Sequence, residues 1–137
     1  MRGGRVDVFF YGVFVDIDTL SGAGAAPGNP RRAHVAGFAL RIAQRATLVP
    51  AAGSRVYGML FALTHSDLDR LYAAPGLELY RPEAVLAHPF EGMPTPALCY
   101  VLHEAPRPGE RNPEYAARLQ RALSKLGFPA DYVASVM

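Results

Sequence analysis

A glycine just past a buried strand lets the chain turn sharply and turns consecutive backbone N–H groups outward. Such a concave row of donors holds a carboxylate or a developing oxyanion without any charged side chain. Phe10-Tyr11-Gly12-Val13-Phe14 has this form, because the β-branched and aromatic run Val6-Asp7-Val8-Phe9-Phe10 leads straight into Tyr11-Gly12. A plain turn carries the same signature, so the loop becomes a site only if other residues converge on it. The remaining combinations are weaker. Cys99 and His103 would make a nucleophile and its base, but on one strand their Cα atoms stand about 13 Å apart, out of hydrogen-bond reach. Gly22-Ala23-Gly24 opens like a dinucleotide-binding loop, yet position 27, where the third glycine belongs, is Pro. His34, His65, His88 and His103 show no metal-ligand spacing, and a single cysteine excludes a cysteine-based zinc centre. No metal and no cofactor is therefore expected. Asp67 and Asp69 fall in the first turn of a short helix, where negative charge suits the macrodipole, and Asp16 caps the turn after Gly12.

The elements that must position these residues follow from pattern and punctuation. Residues 6–10 read as a buried first strand, Asp16 to Leu20 as one helical turn, and Ser21 to Pro30 as a Gly/Pro loop. Ala33 to Leu48 offers one or two strands, Pro50 to Ser54 a turn, and Arg55 to Leu63 the firmest strand. Ser66 is the expected cap of a short helix with Leu68, Leu71 and Tyr72 inward and Asp69 closing a capping box; Pro75-Gly76 ends it. Tyr80 to Ala87 and Thr95 to His103 form a hairpin. Asn112 caps a helix with Pro113 at its first position. Tyr115, Leu119, Ala122, Leu123 and Leu126 share one face, and Gly127 stops it; Ala130 to Val136 is a last short helix. Many strands, one internal helix and two terminal helices do not alternate as βαβ units do. The expected class is α+β, a mixed sheet or closed barrel with helices packed outside.

The 137 residues suit one domain spanning 1–137, and half of them are hydrophobic with a net charge of only +2, which excludes a disordered chain. Thirteen of the fourteen basic residues are Arg, with Lys125 the exception; together with the abundant Ala this reads as a GC-rich, bacterial origin rather than as a nucleic-acid surface. No basic stripe alternates with aromatics, and no apolar run is long enough for a membrane span, so neither nucleic acid nor membrane is an expected partner. The opening Met1-Arg2-Gly3-Gly4-Arg5 has none of the apolar stretch of a signal peptide, and the expected location is cytoplasmic. Oligomeric state is not legible.

Several features in order carry a resemblance. Tyr11-Gly12 is followed by Val56-Tyr57-Gly58-Met59-Leu60-Phe61-Ala62-Leu63, then Leu68-Asp69-Arg70-Leu71-Tyr72, then Tyr80-Arg81-Pro82, then Ala97-Leu98-Cys99-Tyr100-Val101. A C-terminal Tyr115 and the run Leu126-Gly127-Phe128-Pro129-Ala130-Asp131-Tyr132-Val133 complete the series. Over nearly its whole length the chain resembles the gamma-glutamylcyclotransferase-like family. The resemblance implies a small mixed β-barrel flanked by helices, with a pocket at one mouth for a small molecule bearing a carboxylate or gamma-glutamyl group. It implies a transferase or lyase type of reaction in which the free α-amine attacks its own γ-carbonyl, forming 5-oxoproline and releasing an amine. It places Tyr11, Gly12, Val13 and Phe14 at the loop that holds the glutamyl moiety, and Tyr80 and Tyr100 at two tyrosines of the pocket.

Two positions depart from the family pattern. Val13 stands where the loop carries a hydroxyl residue, which removes a side-chain hydrogen bond and keeps the N–H. Tyr72 stands where the resemblance places the catalytic Glu. The attacking amine is an ammonium at neutral pH and must lose a proton, and a tyrosine of ordinary pKa near 10 is a poor base for that. Glu78 and Glu83, which bracket Tyr80, are the nearest substitutes in sequence, although strict alternation turns Glu83 outward if Tyr80 points inward. Two functions follow: a cyclotransferase with a relocated base, or a non-catalytic module on the same fold that binds a carboxylate or amino-acid-like ligand.

Overall fold

The computed structural model describes residues 4–137. Five strands, β1 (Arg5–Phe10), β2 (Gly28–Ile42), β3 (Ala46–Thr64), β4 (Tyr80–Pro89) and β5 (Thr95–Leu102), close a barrel in the order β1-β3-β2-β4-β5. All neighbours are antiparallel except β1 and β5, whose parallel pairing at Val8 and Leu98 shuts the barrel and makes it mixed. Helices α1 (Ile17–Gly22), α2 (His65–Leu71), α3 (Pro113–Lys125) and α4 (Ala130–Ser135) accompany the strands. The expected α+β barrel with flanking helices is the observed architecture. Among the described residues no helix is long and apolar enough to cross a membrane.

Local chemistry explains most boundaries. Asp16 caps α1, its carboxylate accepting from the Thr19 N–H and hydroxyl. Asn112 accepts from the Tyr115 N–H, Pro113 opens α3, and Gly127 at φ +83° ends it. Ala116, Leu119 and Leu123 are the buried face of α3. Cys99 is fully buried on β5, as a structural cysteine should be.

Three expectations need correction. The cap of α2 is Thr64, whose hydroxyl accepts from Asp67 N–H, so the helix starts one residue before Ser66. Asp67 instead turns its carboxylate to the Ala26 N–H at 2.9 Å and to Arg70 at 3.4 Å. The loop expected to last until Pro30 gives way to β2 at Gly28, and the turn expected at Pro50 to Ser54 does not interrupt β3. The register explains the second: Ala36 faces Arg55 while Phe38 faces Pro50, so residues 51–54 bulge out of a ladder that continues on both sides.

One packing detail sets up the site. A Cβ at Gly58 would collide with the Phe10 carbonyl oxygen and lie 2.9 Å from the Phe9 ring. Glycine there lets β3 press against the end of β1, and that contact fixes where the Tyr11–Phe14 loop leaves the barrel.

Candidate functional site

The loop after β1 turns at Gly12 into a single helical turn, Val13–Val15, held by Val15 N–H to the Gly12 carbonyl at 2.9 Å. Beside it lies a cavity of about 150 Å³. β1 brings Phe9 and Phe10 to it, the loop brings Tyr11 to Phe14, and the β2–β3 hairpin brings Gln44, Arg45 and Ala46. Tyr72 follows α2, Tyr80 opens β4, Tyr100 lies on β5 and Tyr115 comes from the first turn of α3; Leu77 completes the wall. The structure thus brings together Tyr11, Gly12, Val13, Phe14, Tyr72, Tyr80 and Tyr100, all of the residues expected to bind a ligand.

Each tyrosine is held by a distinct contact. The Tyr11 hydroxyl donates to the Tyr100 carbonyl at 2.7 Å, and the Tyr80 hydroxyl donates to the Ala46 carbonyl. The Tyr72 and Tyr100 rings stack almost parallel, 3.9 Å between centroids at 10°, with Tyr80 tilted 6.0 Å from Tyr72. Burial raises all of these phenols: Tyr11 and Tyr72 far above their ordinary pKa of 10, and Tyr80 strongly. Tyr100 is raised by burial and then by the charge of Asp69. The cavity therefore holds neutral hydroxyls in an apolar setting, at any ordinary pH.

Tyr115 is the residue that sequence reading missed in this role, having placed it on a helix face and in the series that carries the resemblance but not at the pocket. Its hydroxyl oxygen accepts the Val13 N–H at 3.0 Å. Gly12 is required for that approach, because a Cβ there would strike the same hydroxyl. The loop amides are thus partly occupied by the protein itself: Val13 is bonded to Tyr115, while the Gly12 and Phe14 N–H groups have no acceptor among the described residues. Arg45 and Gln44 were also missed, since a hairpin tip gives no sequence sign of the cavity it overhangs.

Glu78 and Glu83 do not join the site. Glu78 is exposed in the segment before β4, where its backbone carbonyl accepts from Arg81. Glu83 is exposed on β4 opposite Cys99 and faces a separate groove with Phe38 and Val101. No Asp or Glu lines the cavity among the described residues. Nor do His, Cys, Asp and Glu gather there in a group of three that could hold a metal.

A family model described as gamma-glutamyl cyclotransferase, AIG2-like, matches residues 8–118. Solved structures agree on the fold. A gamma-glutamyl cyclotransferase superposes with a TM-score of 0.77 at 18% identity, covering 97% of this chain and 88% of its own. YkqA from Bacillus subtilis gives 0.76 at 22%, covering 95% and 52%. An AIG2-like protein from Mus musculus gives 0.58 at 17%, covering 92% and 85%. No curated protein sequence matches significantly. The chain belongs to the gamma-glutamyl cyclotransferase, AIG2-like family.

Proposed function

We propose that this member of the gamma-glutamyl cyclotransferase, AIG2-like family binds a small organic molecule in its tyrosine-lined cavity and does not cyclise gamma-glutamyl amines at an enzymatic rate. One observation carries the reading: among the described residues no carboxylate lines the cavity. Cyclisation needs a group to take the ammonium proton before the amine attacks, and loss of such a base typically costs about 10²–10⁴ in rate. The residue at the position of the catalytic Glu, by resemblance, is Tyr72. Its phenol is pushed above an already unsuitable pKa by burial, and stacking on Tyr100 keeps it a neutral wall. The unpaired Gly12 and Phe14 amides remain suited to an anionic or carbonyl oxygen.

The test incubates the protein with a panel of gamma-glutamyl amines and dipeptides and follows 5-oxoproline by mass spectrometry, with ligand binding measured in parallel by calorimetry. Binding without 5-oxoproline above the protein-free control is the expected result. Enzymatic formation of 5-oxoproline overturns the reading. Glu78→Gln, Glu83→Gln and Asp69→Asn would then find the base, Asp69 being included because its charge reaches Tyr100.

A further inference from the structure

The charge pattern around the cavity narrows the ligand. Arg45, at the tip of the β2–β3 hairpin, lines the cavity and also a second groove on its outer side. Its guanidinium lies against Gly76: a Cβ there would sit 2.6 Å from Nη2 and 3.2 Å from Cζ, so the absence of a side chain is what lets the cation settle at the rim. The ion pairs among the described residues are Arg31–Asp7 and Arg70–Asp67; Arg45 has no carboxylate within pairing distance. The outer groove adds Arg81 and Arg107 against Glu104 and Glu110, and Glu110 already accepts from the Arg107 N–H. An unpaired cation thus overhangs a cavity walled by neutral phenols and bordered by the Gly12–Phe14 loop, two of whose N–H groups have no acceptor among the described residues.

An amino acid fits such a site badly. Its ammonium would meet the like charge of Arg45 and find no carboxylate to neutralise it on leaving water. The stacked Tyr72 and Tyr100 rings each keep only one face for a ligand, enough for an apolar body to lie against and fewer than the several converging faces of a cation cage. A carboxylate, by contrast, suits a guanidinium able to receive it bidentately, beside a loop with two N–H groups that lack an acceptor among the described residues. The volume, about 150 Å³, is that of a space which takes a single benzene-sized ring.

We propose that the cavity selects a small carboxylate without an α-ammonium, carried on a compact apolar or aromatic body. Arg45 and the loop amides receive the carboxylate, and the ring or chain lies against Tyr72, Tyr80 and Tyr100. Arg45 is the residue that sets this preference. The proposal rests on the reading that the cavity binds ligands, and it goes further by naming their charge and shape.

The experiment is calorimetric titration of the full chain with four probes: 3-phenylpropanoate, phenylalanine, 3-phenylpropan-1-ol and gamma-glutamyl methylamide. The propanoate should bind at least tenfold more tightly than phenylalanine, which differs by the ammonium, and than the alcohol, which lacks the charge. Arg45→Gln should reduce propanoate affinity at least tenfold and leave the weak alcohol affinity unchanged, while Arg45→Lys restores part of the loss. Equal affinity for phenylalanine and the propanoate, or no effect of Arg45→Gln, overturns the proposal. Binding of gamma-glutamyl methylamide with none of the propanoate sinks this inference alone. Failure of all four probes removes the ligand-binding reading beneath it as well.

Discussion

The seven tyrosines of this chain are divided between two aromatic groups that behave in opposite ways. Five of them (Tyr11, Tyr72, Tyr80, Tyr100 and Tyr115) line the cavity. The other two, Tyr57 and Tyr132, belong to a cluster with Phe90, Phe128, His34 and His88. That cluster lies on the face of β2, β3 and β4 opposite the buried Val35, Val56 and Ala87, where the segment between α3 and α4 covers it. In the cluster the rings meet mainly edge to face: Tyr57 on Tyr132 at 66°, Tyr57 on Phe90 at 85°, and Phe90 on Phe128 at 85°. Each ring fills the gap beside the next, and Arg32 closes the edge over Phe90 at 5.0 Å. At the cavity, Tyr72 and Tyr100 stack parallel and the Tyr11 and Tyr80 hydroxyls are tied to backbone carbonyls, so the rings are held as walls rather than wedged into one another. The same residue type makes core where rings interlock edge to face and a wall where two rings stack flat beside open space.

The largest expected effect converts the wall into a catalyst. Tyr72→Glu would put a carboxyl where burial raises its pKa, in the range useful to a general base, and would supply the negative partner that a substrate ammonium otherwise lacks in the cavity. Production of 5-oxoproline from gamma-glutamyl amines, read by mass spectrometry, should rise at least about 10²-fold over the parent. No rise in a folded variant would mean that the cavity differs from a cyclotransferase pocket by more than this side chain.

The next contrast is in stability. Phe128 is 5% exposed and wedged among Tyr57 and Phe90, so Phe128→Ala should cost about 3–4 kcal/mol in urea denaturation. Tyr100→Ala borders space that is already open and should cost about half as much, because less packing is lost. Equal costs would show the cavity walls to be as interlocked as the cluster.

Much of this division was legible in the sequence, and what was not has a physical reason. Tyr11 is marked by the glycine that follows β1, whereas Tyr72, Tyr80 and Tyr100 are placed with it only through the family resemblance; local pattern does not gather them, because it is the strand order of the barrel that brings β1, β4, β5 and the end of α2 together. Tyr115 could not be placed there, because its 3.6-residue spacing with Leu119 and Leu126 describes burial equally well whether the hydroxyl is idle or bonded to Val13. Arg45 was hidden for the converse reason: its role depends on Gly76, thirty-one positions later, which reads locally only as a helix stop. The β3 bulge at residues 51–54 looked like a turn because Pro50 and Gly53 are turn residues, and tertiary pairing on both sides overrode them.

Single hydroxyls sharpen the comparison further. Tyr11→Phe removes a donor from the partly buried Tyr100 carbonyl and should cost about 1 kcal/mol. The Tyr132 hydroxyl is buried beside the Tyr57 backbone without completing a hydrogen bond. Tyr132→Phe should therefore be neutral or stabilising by up to about 1 kcal/mol. Paired denaturation curves check the opposite signs; a loss for Tyr132→Phe comparable to that for Tyr11→Phe would show that both hydroxyls are held alike.

The smallest expected effect separates the regions by pH. Buried phenols titrate later in the folded protein than in the unfolded chain, so the unfolded state ionises first. Stability from Tyr11, Tyr72, Tyr80 and Tyr115 is whole below pH 10 and falls as pH rises past it. His34 runs the other way. Burial, then the charges of Arg55 and His88, lower its pKa, so the unfolded chain takes up the proton more readily. Its contribution is whole above about pH 6.5 and declines as pH falls below that value. Because His34 is a single, partly exposed group, the acid loss should be slight beside the alkaline one, where several buried groups add. Urea midpoints followed from pH 5 to 11 should be level from 7 to 9, dip slightly on the acid side and fall steeply above 10. Tyr80→Phe should soften the alkaline fall and leave the acid dip, and His34→Gln should do the reverse. A variant that altered both limbs would show the two aromatic groups to be energetically coupled through the sheet between them.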